Sequence, residues 1–310
     1  MAGTPNHSVA SLRKQLADLT TAIGSVHLRE SERHELLDAS RSLVRKLETP
    51  KEKVARMMWH EPLVLTTARV LIDLNIFKAL TEAGEPRTVA QLSSTTGADS
   101  ALLERLLKHI ATELYVQETG PDTYQANDYT RTLATPGGEG CVLDVFNLLQ
   151  VYAKLPEFLQ KTKYVCPRDK DASPSTFAWE GRGHYFDWVM QDPKRIAATH
   201  GHMEFKNLGP QWYEEPEIVE SALGAGVDAD GVLMVDVGGN GGHQSTGFRR
   251  RHPDMPGRLV LQDLPRVVDN LDREALAKAG VEARGHDFFA PQPIVGAKAY
   301  YVKMVSLPSS

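Results

Sequence analysis

The residues best suited to chemistry form a glycine-rich turn in the last third of the chain. The turn runs from Asp236 to Gly242 as DVGGNGG, and it ends the apolar segment GVLMVDVGG. Glycines at a strand-to-helix turn let the backbone fold tightly and approach a ligand closely. Because such a turn is a weak signal by itself, the ligand has to be inferred from the acidic residues that follow it.

Two acids and an aromatic ring end the next two apolar segments. Asp263 lies 25 residues after Gly238, where a carboxylate can accept hydrogen bonds from both ribose hydroxyls of a nucleoside. Asp287 can accept from the exocyclic amine of adenine, and the Phe288 ring can pack on the base. These positions end predicted strands, and open α/β sheets bind ligands at that edge. The pattern predicts an adenine-nucleoside site; the alternative is an ordinary α/β turn with incidental acids.

The glycine pattern also indicates which nucleoside ligand is bound. A dinucleotide site reads G-x-G-x-x-G and binds pyrophosphate at a helix N-terminus, whereas this turn reads GGNGG after an acid. An anion beside the ammonium and sulfonium of S-adenosylmethionine is favourable, directly or through positioning of the backbone. The predicted cofactor-binding residues are therefore Asp236, Gly238, Gly239, Asp263, Asp287 and Phe288.

Residues 227–310 must supply the sheet that positions this site. Four apolar segments are typical of buried strands: GVLMVDVGG, GRLVLQDLP, VEARGHDFF and AKAYYVKMVS. The segments HQSTGFRRRHP and DREALAKAG between them favour helices, the second of which stops at Gly280. Alternating strands and helices predict βαβ units, a parallel sheet and right-handed crossovers. The expected fold is thus a Rossmann-like α/β domain.

The residues before this domain predict helices. Leucines at 3–4 spacing indicate a helix over residues 9–48 with a narrow apolar stripe. Such a stripe must pack against another surface, either in the same domain or on a second subunit. Residues 53–133 favour a winged helix-turn-helix: an apolar helix over 62–80, a helix capped by Asp99 or Ser100, and a wing around Gly120. The expected domains are 1–50 (N-terminal helices), 51–140 (winged helix), 141–226 (helical, substrate-lining) and 227–310 (cofactor-binding).

A winged helix raises the possibility of DNA binding. The candidate recognition helix, residues 99–113, carries three acids and two basic residues. Phosphate contacts supply most of the affinity for DNA, so a helix that enters the major groove should be basic. The charge favours a scaffold or dimerisation role over a DNA-binding regulator.

The segment 141–226 is rich in aromatic, methionine and histidine side chains. Tyr185, Trp188, Met190 and Met203 suit a buried core and a small-molecule pocket equally well. Both interpretations stay open at this stage.

The composition is that of an ordinary globular protein. The 310 residues have a formal net charge of −5, which favours neither nucleic acid nor an anionic membrane as partner. The chain has two cysteines, a polar N-terminus and no apolar run of the roughly 18 residues that span a membrane, which predicts a cytoplasmic protein. No His, Asp and Glu cluster has the spacing of metal ligands, so no metal is expected.

In order, the segments MVDVGGNGGHQS, GRLVLQDLP, GHDFF and AYYVK resemble the cofactor motifs of class I O-methyltransferases of plant and fungal secondary metabolism. The winged helix and the FDWVMQDP…HGHM segment are similar to that family too. The resemblance covers residues 50–303. It implies a homodimer that transfers a methyl group from S-adenosylmethionine to a hydroxyl of a small aromatic or polyketide-like substrate. It also places Lys303 near the cofactor and Trp188 and Met203 against the substrate. Asn240 and Gly242 are mild departures from the family's turn.

A larger departure follows Lys303. The family continues into His-Asp-Trp, whose histidine is the general base, but this sequence reads MVSLPSS. We therefore expect a C-terminally truncated member with an exposed sheet edge, and either slow turnover or a non-methylating, pericyclase-like or inactive relative. His200 and His202 are the candidate substitute bases, because the resemblance places their segment near the cofactor; His184 lies in the same segment. A hydrogen-bonded pocket or surface histidine is the alternative interpretation.

Overall fold

The structure, a computed structural model, describes residues 8–183, 185–205, 211–303 and 305. His184 and the terminal SLPSS segment, on which two of the expectations bear, lie outside this part. The chain divides into two compact units. We call Glu32–Leu208 the helical unit, and Met1–Ser31 together with Gly209–Ser310 the α/β unit.

The helices lie in both units. In chain order they are α1 Val9–Ile23, α2 Glu30–Leu47, α3 Pro50–Ala55, α4 Glu61–Asp73, α5 Ile76–Ala83, α6 Val89–Thr96, α7 Ser100–Thr112, α8 Asp128–Leu133, α9 Pro136–Lys161, α10 Pro174–Ala178, α11 Tyr185–Val189, α12 Pro193–Phe205, α13 Pro216–Leu223, α14 His243–Arg251, α15 Pro265–Val268 and α16 Arg273–Lys278. A π turn, Arg56–His60, joins α3 to α4, and 3₁₀ turns occupy Lys170–Ala172 and Trp212–Glu214.

The strands form two sheets in the described residues. They are β1 Arg87–Thr88, β2 Gln117–Gly120, β3 Thr123–Gln125, β4 Val232–Val237, β5 Arg258–Asp263, β6 Val281–Gly285 and β7 Ala299–Val302. The first three pair antiparallel in the order β1-β3-β2, and the others pair parallel in the order β6-β5-β4-β7.

The helical unit contains the predicted winged helix. The Thr88 hydroxyl and the Gln91 side chain form a capping box at the start of α6, and the Asp99 carboxylate accepts from the Leu102 N–H to start α7. The wing is the β2–β3 hairpin, as expected. The apolar face of α7 packs with α4 and α5 around Tyr124, which is fully buried.

Two expected helices are interrupted in the structure. The helix predicted over 62–80 ends at Asp73 and restarts at Ile76, because Asn75 adopts a left-handed conformation (φ 55°) that asparagine tolerates and a helix cannot contain. The helix predicted over 9–48 is two helices, since α1 stops before Gly24. The expected domain boundary at residue 140 falls inside α9, which begins at Pro136. The apolar pattern of the sequence does not show that the helix begins there.

The α/β unit has the predicted parallel sheet. One face of β4 and β5 packs against α13, α14 and α16, through a core that includes Leu233, Phe248, Leu259 and Leu261. On the other face Val235 and Val260 are also buried. There the Gln262 and Gln292 amides exchange two hydrogen bonds, at 2.8 and 2.9 Å.

The strand order places a topological switch point beside β4. The chain passes from β4 to β5 and β6 on one side and returns to β7 on the other. Open α/β sheets bind ligands at the carboxyl ends of the strands where the order reverses in this way, here β4 and β7. In the described residues β7 has β4 as its one neighbour, and its Tyr300 and Val302 are 44% and 49% exposed. No described helix is long and apolar enough to span a membrane.

Candidate functional site

The glycine turn connects the carboxyl end of β4 to α14. Gly238 (φ 70°) and Gly242 (φ 77°) are left-handed, and so is Asn240 (φ 46°), which asparagine tolerates better than most residues. The N–H groups of Gly238 and Gly239 both donate to the Gln262 carbonyl, at 2.8 and 3.1 Å. The turn is thereby fixed to the end of the neighbouring strand β5.

The Asp236 side chain lies beneath this turn. It is 2% exposed, and its Oδ2 accepts from the Ser245 hydroxyl at 2.7 Å, in the first turn of α14. A Cβ added to Gly239 would lie 2.8 Å from Asp236 Cγ, so glycine is needed there to leave room for the carboxylate. Burial raises the pKa of Asp236, and the Ser245 hydroxyl and N–H partly oppose this. Of the two roles left open for Asp236, this arrangement favours positioning of the backbone.

Asp263 ends β5 beside the same turn. Its Oδ2 accepts from the Asn240 N–H at 2.9 Å and its Oδ1 from the Leu264 N–H at 2.8 Å. A carboxylate has about four acceptor positions, so both oxygens keep capacity for further donors. The half-buried carboxylate therefore both stiffens the glycine turn and remains able to accept hydroxyl groups.

The segment after β6 carries the two residues predicted to contact adenine. The His286 N–H donates to the Asp263 carbonyl at 2.7 Å, which holds this segment beside the end of β5. Asp287 is exposed and Phe288 is half-buried. The Phe289 ring, which the sequence analysis did not single out, lies 4.4 Å from that of Phe288 and is 64% exposed. Adjacent phenylalanines in the sequence were the available signal.

Lys303 directly follows β7, on the other side of β4. The positive charge of Lys303 lowers the pKa of Asp236, but less than burial raises it. Val305 covers the turn closely, since a Cβ on Gly238 would lie 2.7 Å from Val305 Cγ2. Tyr301, one strand position from Val302, donates its hydroxyl to Gln244 Oε1 at 3.2 Å, and burial together with the Asp236 charge raises the pKa of Tyr301 to about 12.

The helical unit holds a buried polar cluster that the sequence analysis found only in part. Asp144 on α9 is 1% exposed and accepts three hydrogen bonds: from Tyr185 Oη at 2.6 Å, Thr199 Oγ1 at 3.0 Å and His202 Nδ1 at 2.5 Å. We call these four residues the Asp144 cluster. Its members are up to 58 residues apart, so no local motif signals Asp144.

The structure separates the other candidates in this segment. His200 lies two residues from His202 but is exposed. Trp188 is 4% exposed, with the Trp179 ring stacked at 4.2 Å and the Arg195 guanidinium 3.9 Å from its centroid. Trp188 is therefore packed in an aromatic core here, and its predicted substrate contact stays a prediction. Met203 is half-buried on the same helix as His202.

Fold and site together define a Rossmann-like nucleoside-binding unit joined to a winged-helix unit. Residues 62–136 match the family model "O-methyltransferase dimerisation domain". O-methyltransferase ucdC from Aspergillus ustus is 37% identical over 281 residues, which cover 89% of this chain and 71% of that relative.

Two solved structures share the fold at 32% identity. One is described as the structure of LepI in complex with SAM (TM-score 0.78; 96% of this chain and 76% of that chain), and the other as a pericyclic reaction enzyme (TM-score 0.76; 94% and 76%). The chain therefore belongs to the S-adenosylmethionine-dependent O-methyltransferases of the plant and fungal type, as its sequence resemblance predicted.

Proposed function

We propose that this chain binds S-adenosylmethionine at the carboxyl edge of β4, β5 and β6 and methylates a hydroxyl of a small aromatic or polyketide-like metabolite. The observation that carries the proposal is the Asp263 carboxylate, fixed by two backbone N–H groups beside the glycine turn with acceptor capacity left on both oxygens. The bound cofactor supplies an electrophilic methyl group, and the residues of the site hold and orient the reactants.

Each site residue has a separate part in this proposal. Gly238 and Gly239 let the backbone approach the methionine portion, and Asp236 keeps their turn in shape from below. Asp263 binds the ribose hydroxyls, and Asp287 and Phe288 bind adenine. Lys303 lies at the end of β7, across the switch point, where the family places a basic residue near the cofactor.

Calorimetric titration with S-adenosylmethionine tests the cofactor site. Charge-assisted hydrogen bonds contribute about 1.5–3 kcal/mol each, so Asp263→Ala should weaken binding at least about tenfold. Asp254→Ala is the matched control, because Asp254 is an exposed acid of the same unit outside the site; its affinity should equal that of the unchanged chain. Equal affinities for the Asp263 variant and the control would contradict the proposed ribose contact.

A second candidate function is a pericyclic reaction without methyl transfer, in which the cofactor's positive charge acts as a fixed electrostatic group. It is favoured by the 32% identity to the solved structure described as a pericyclic reaction enzyme. Mass spectrometry of reactions with hydroxylated aromatics such as emodin distinguishes the two. A product heavier by one methyl group in place of hydrogen supports methylation. An isomer of unchanged mass supports the second candidate.

We also propose that the protein is a homodimer, because residues 62–136 match a dimerisation domain and because helix α1, which precedes that match, has exposed apolar side chains. On α1, Leu12, Leu16, Leu19 and Ile23 are 41–59% exposed and lie at helical spacing on one face. Light scattering of the eluting protein should give twice the chain mass. Leu19→Glu should lower that mass, whereas Lys14→Glu, on the same helix, should not.

The charge of the chain bears on two other classes of partner, nucleic acids and membranes. We propose a cytoplasmic protein with no nucleic-acid or membrane partner. In the winged helix, Lys108 is paired with Glu104 at 2.5 Å and with Asp122 at 3.1 Å, so its charge is already neutralised locally. Salt-dependent retention of duplex DNA would contradict this.

A further inference from the structure

The segment that joins β6 to β7, residues 286–298, forms neither a helix nor a strand. We call it the crossover segment, because β6 and β7 are parallel strands at opposite edges of the four-stranded sheet. Such strands are usually joined through a helix, which satisfies its own backbone groups. The crossover segment has to be held in place by other hydrogen bonds.

The crossover segment begins with the residues predicted to contact adenine, Asp287 and Phe288. Asp287 Oδ1 accepts from the Phe289 N–H at 3.1 Å, and the Ala290 N–H donates to the Asp287 carbonyl at 2.8 Å. These two bonds tie the direction of the carboxylate to the backbone that follows it. A carboxylate has about four acceptor positions, so the Asp287 oxygens keep capacity for an amine. The position of the carboxylate therefore depends on what holds the rest of the segment.

Gln292 joins the crossover segment to β5. Its amide exchanges two hydrogen bonds with the amide of Gln262, at 2.8 and 2.9 Å, and its Oε1 also accepts from the Ile294 N–H at 3.0 Å. Because a backbone N–H can only donate, the atom that it meets must be the oxygen, and Nε2 is left to donate to Gln262. We call Gln262 and Gln292 the amide pair. Their donors and acceptors match in this one arrangement.

Gln262 also holds the glycine turn. It is 1% exposed, and its main-chain carbonyl accepts from the Gly238 and Gly239 N–H groups at 2.8 and 3.1 Å. An amide at this depth is costly without partners, which favours a persistent pair. Gln262 is thus bonded through its backbone to the turn proposed for the methionine portion, and through its side chain to the segment proposed for adenine.

The far end of the crossover segment is held separately, near β7. The Tyr300 hydroxyl donates to the Ile294 carbonyl at 2.6 Å and accepts from the Ala297 N–H at 3.3 Å. At the near end, the His286 N–H donates to the Asp263 carbonyl at 2.7 Å. Between these two ends, the amide pair connects the segment to the sheet.

We propose that Gln262 and Gln292 are positioning residues for the purine: the amide pair holds Asp287 where it accepts from a 6-amino group, which makes the site prefer a 6-amino purine to a 6-oxo purine. This rests on the proposed function, in which Asp287 and Phe288 bind adenine. A 6-oxo group presents an acceptor to the carboxylate in place of a donor, and two acceptors repel. The preference depends on where the carboxylate lies, because a hydrogen bond weakens steeply when donor and acceptor lose alignment.

Calorimetric titration of the full chain with S-adenosylhomocysteine and S-inosylhomocysteine tests this role, because the two ligands differ at the 6 position of the purine. The unchanged chain should prefer the adenosyl ligand at least about tenfold, as expected for a hydrogen bond to a charged group. Gln292→Met keeps the length of the side chain without its polar atoms and should reduce the preference about threefold or more. Val295→Met is the matched control in the same segment, because Val295 is 89% exposed; its preference should equal that of the unchanged chain.

Two reference variants show which part of the ligand is affected. Asp287→Ala removes the carboxylate and should abolish most of the preference. Asp263→Ala should weaken the binding of both ligands equally, because their riboses are identical.

A paired substitution separates positioning from packing. Gln262→Met or Gln292→Met alone leaves the other amide without its partner and should lower the free energy of unfolding, as measured with urea. The double variant replaces both amides by apolar side chains of similar shape, so its stability should largely return. Its preference for the adenosyl ligand should stay low, because the contacts of a flexible methionine have no fixed direction.

Two results overturn the proposal. In the first, both single variants keep the preference that Asp287→Ala loses. In the second, the double variant regains the preference together with its stability, which would show that packing alone places Asp287. Failure of the proposed function gives a different result: a folded chain binds neither ligand, or Asp287→Ala keeps the full preference, and the positioning role falls with it.

Discussion

Gly242 is the position of the glycine turn where the cost of a side chain can be worked out from the structure. Its φ is 77°, and a Cβ there would lie 2.8 Å from both Leu261 Cδ1 and Leu276 Cδ2 in the core of the α/β unit. The left-handed conformation costs an alanine about 1–2 kcal/mol, and overpacking a buried contact costs about 1–3 kcal/mol. Gly242→Ala should therefore lower the free energy of unfolding by about 2–5 kcal/mol.

Gly296→Ala is the matched control, since Gly296 has nearly the same φ, 81°, in the same unit and no atom within 4 Å of an added Cβ. It should cost about 1 kcal/mol, partly offset by the reduced freedom of the unfolded chain. Urea denaturation followed by circular dichroism measures both, with equal m values as the check that one transition is compared. A Gly242 variant as stable as the Gly296 variant would show that the two leucines do not confine the turn.

Two further substitutions test the packing of the separate units. Asp236→Asn should alter the pH dependence of stability, because burial raises the pKa of Asp236 in the folded state. The free energy of unfolding of the unchanged chain should therefore fall relative to that of the variant as pH rises from about 4 towards 7. Urea unfolding at each pH measures this difference. A difference independent of pH would refute that assignment. Gly140→Ala should lower the melting temperature, because its Cβ would lie 2.7 Å from a carbonyl of α12. Gly137→Ala, whose nearest contact is an ordinary 3.6 Å, should not; equal effects would mean that α9 and α12 do not touch at Gly140.

The cofactor-binding unit could be predicted in detail because its information is local. A buried parallel strand is a continuous apolar run, and the end of each run places an acid or ring at the carboxyl edge. β4, β5, β6 and β7 accordingly lie within the four predicted segments. The winged helix was predictable for the same reason, since capping residues such as Asp99 act within three residues of a helix start.

Helix interruptions were less predictable, since apolar periodicity continues across a break. Nothing in the pattern distinguishes a helix that continues past Asn75 from one that turns there, because asparagine only permits the left-handed conformation that the tertiary packing selects. The start of α9 was missed for a similar reason. The helix begins at Pro136, but the apolar stretch from which a helix was predicted begins only after it.

The sequence by itself determined the residue types at the cofactor edge and the family to which the chain belongs. Only the tertiary structure decided what these side chains do with their hydrogen bonds: it turned Asp236 inward to Ser245, left Asp263 with acceptor capacity, and joined His202 to Asp144 across 58 residues. The physical reason is that strand ends and caps are set by neighbours in sequence. The partners of a buried charge are set by whichever helices pack around it.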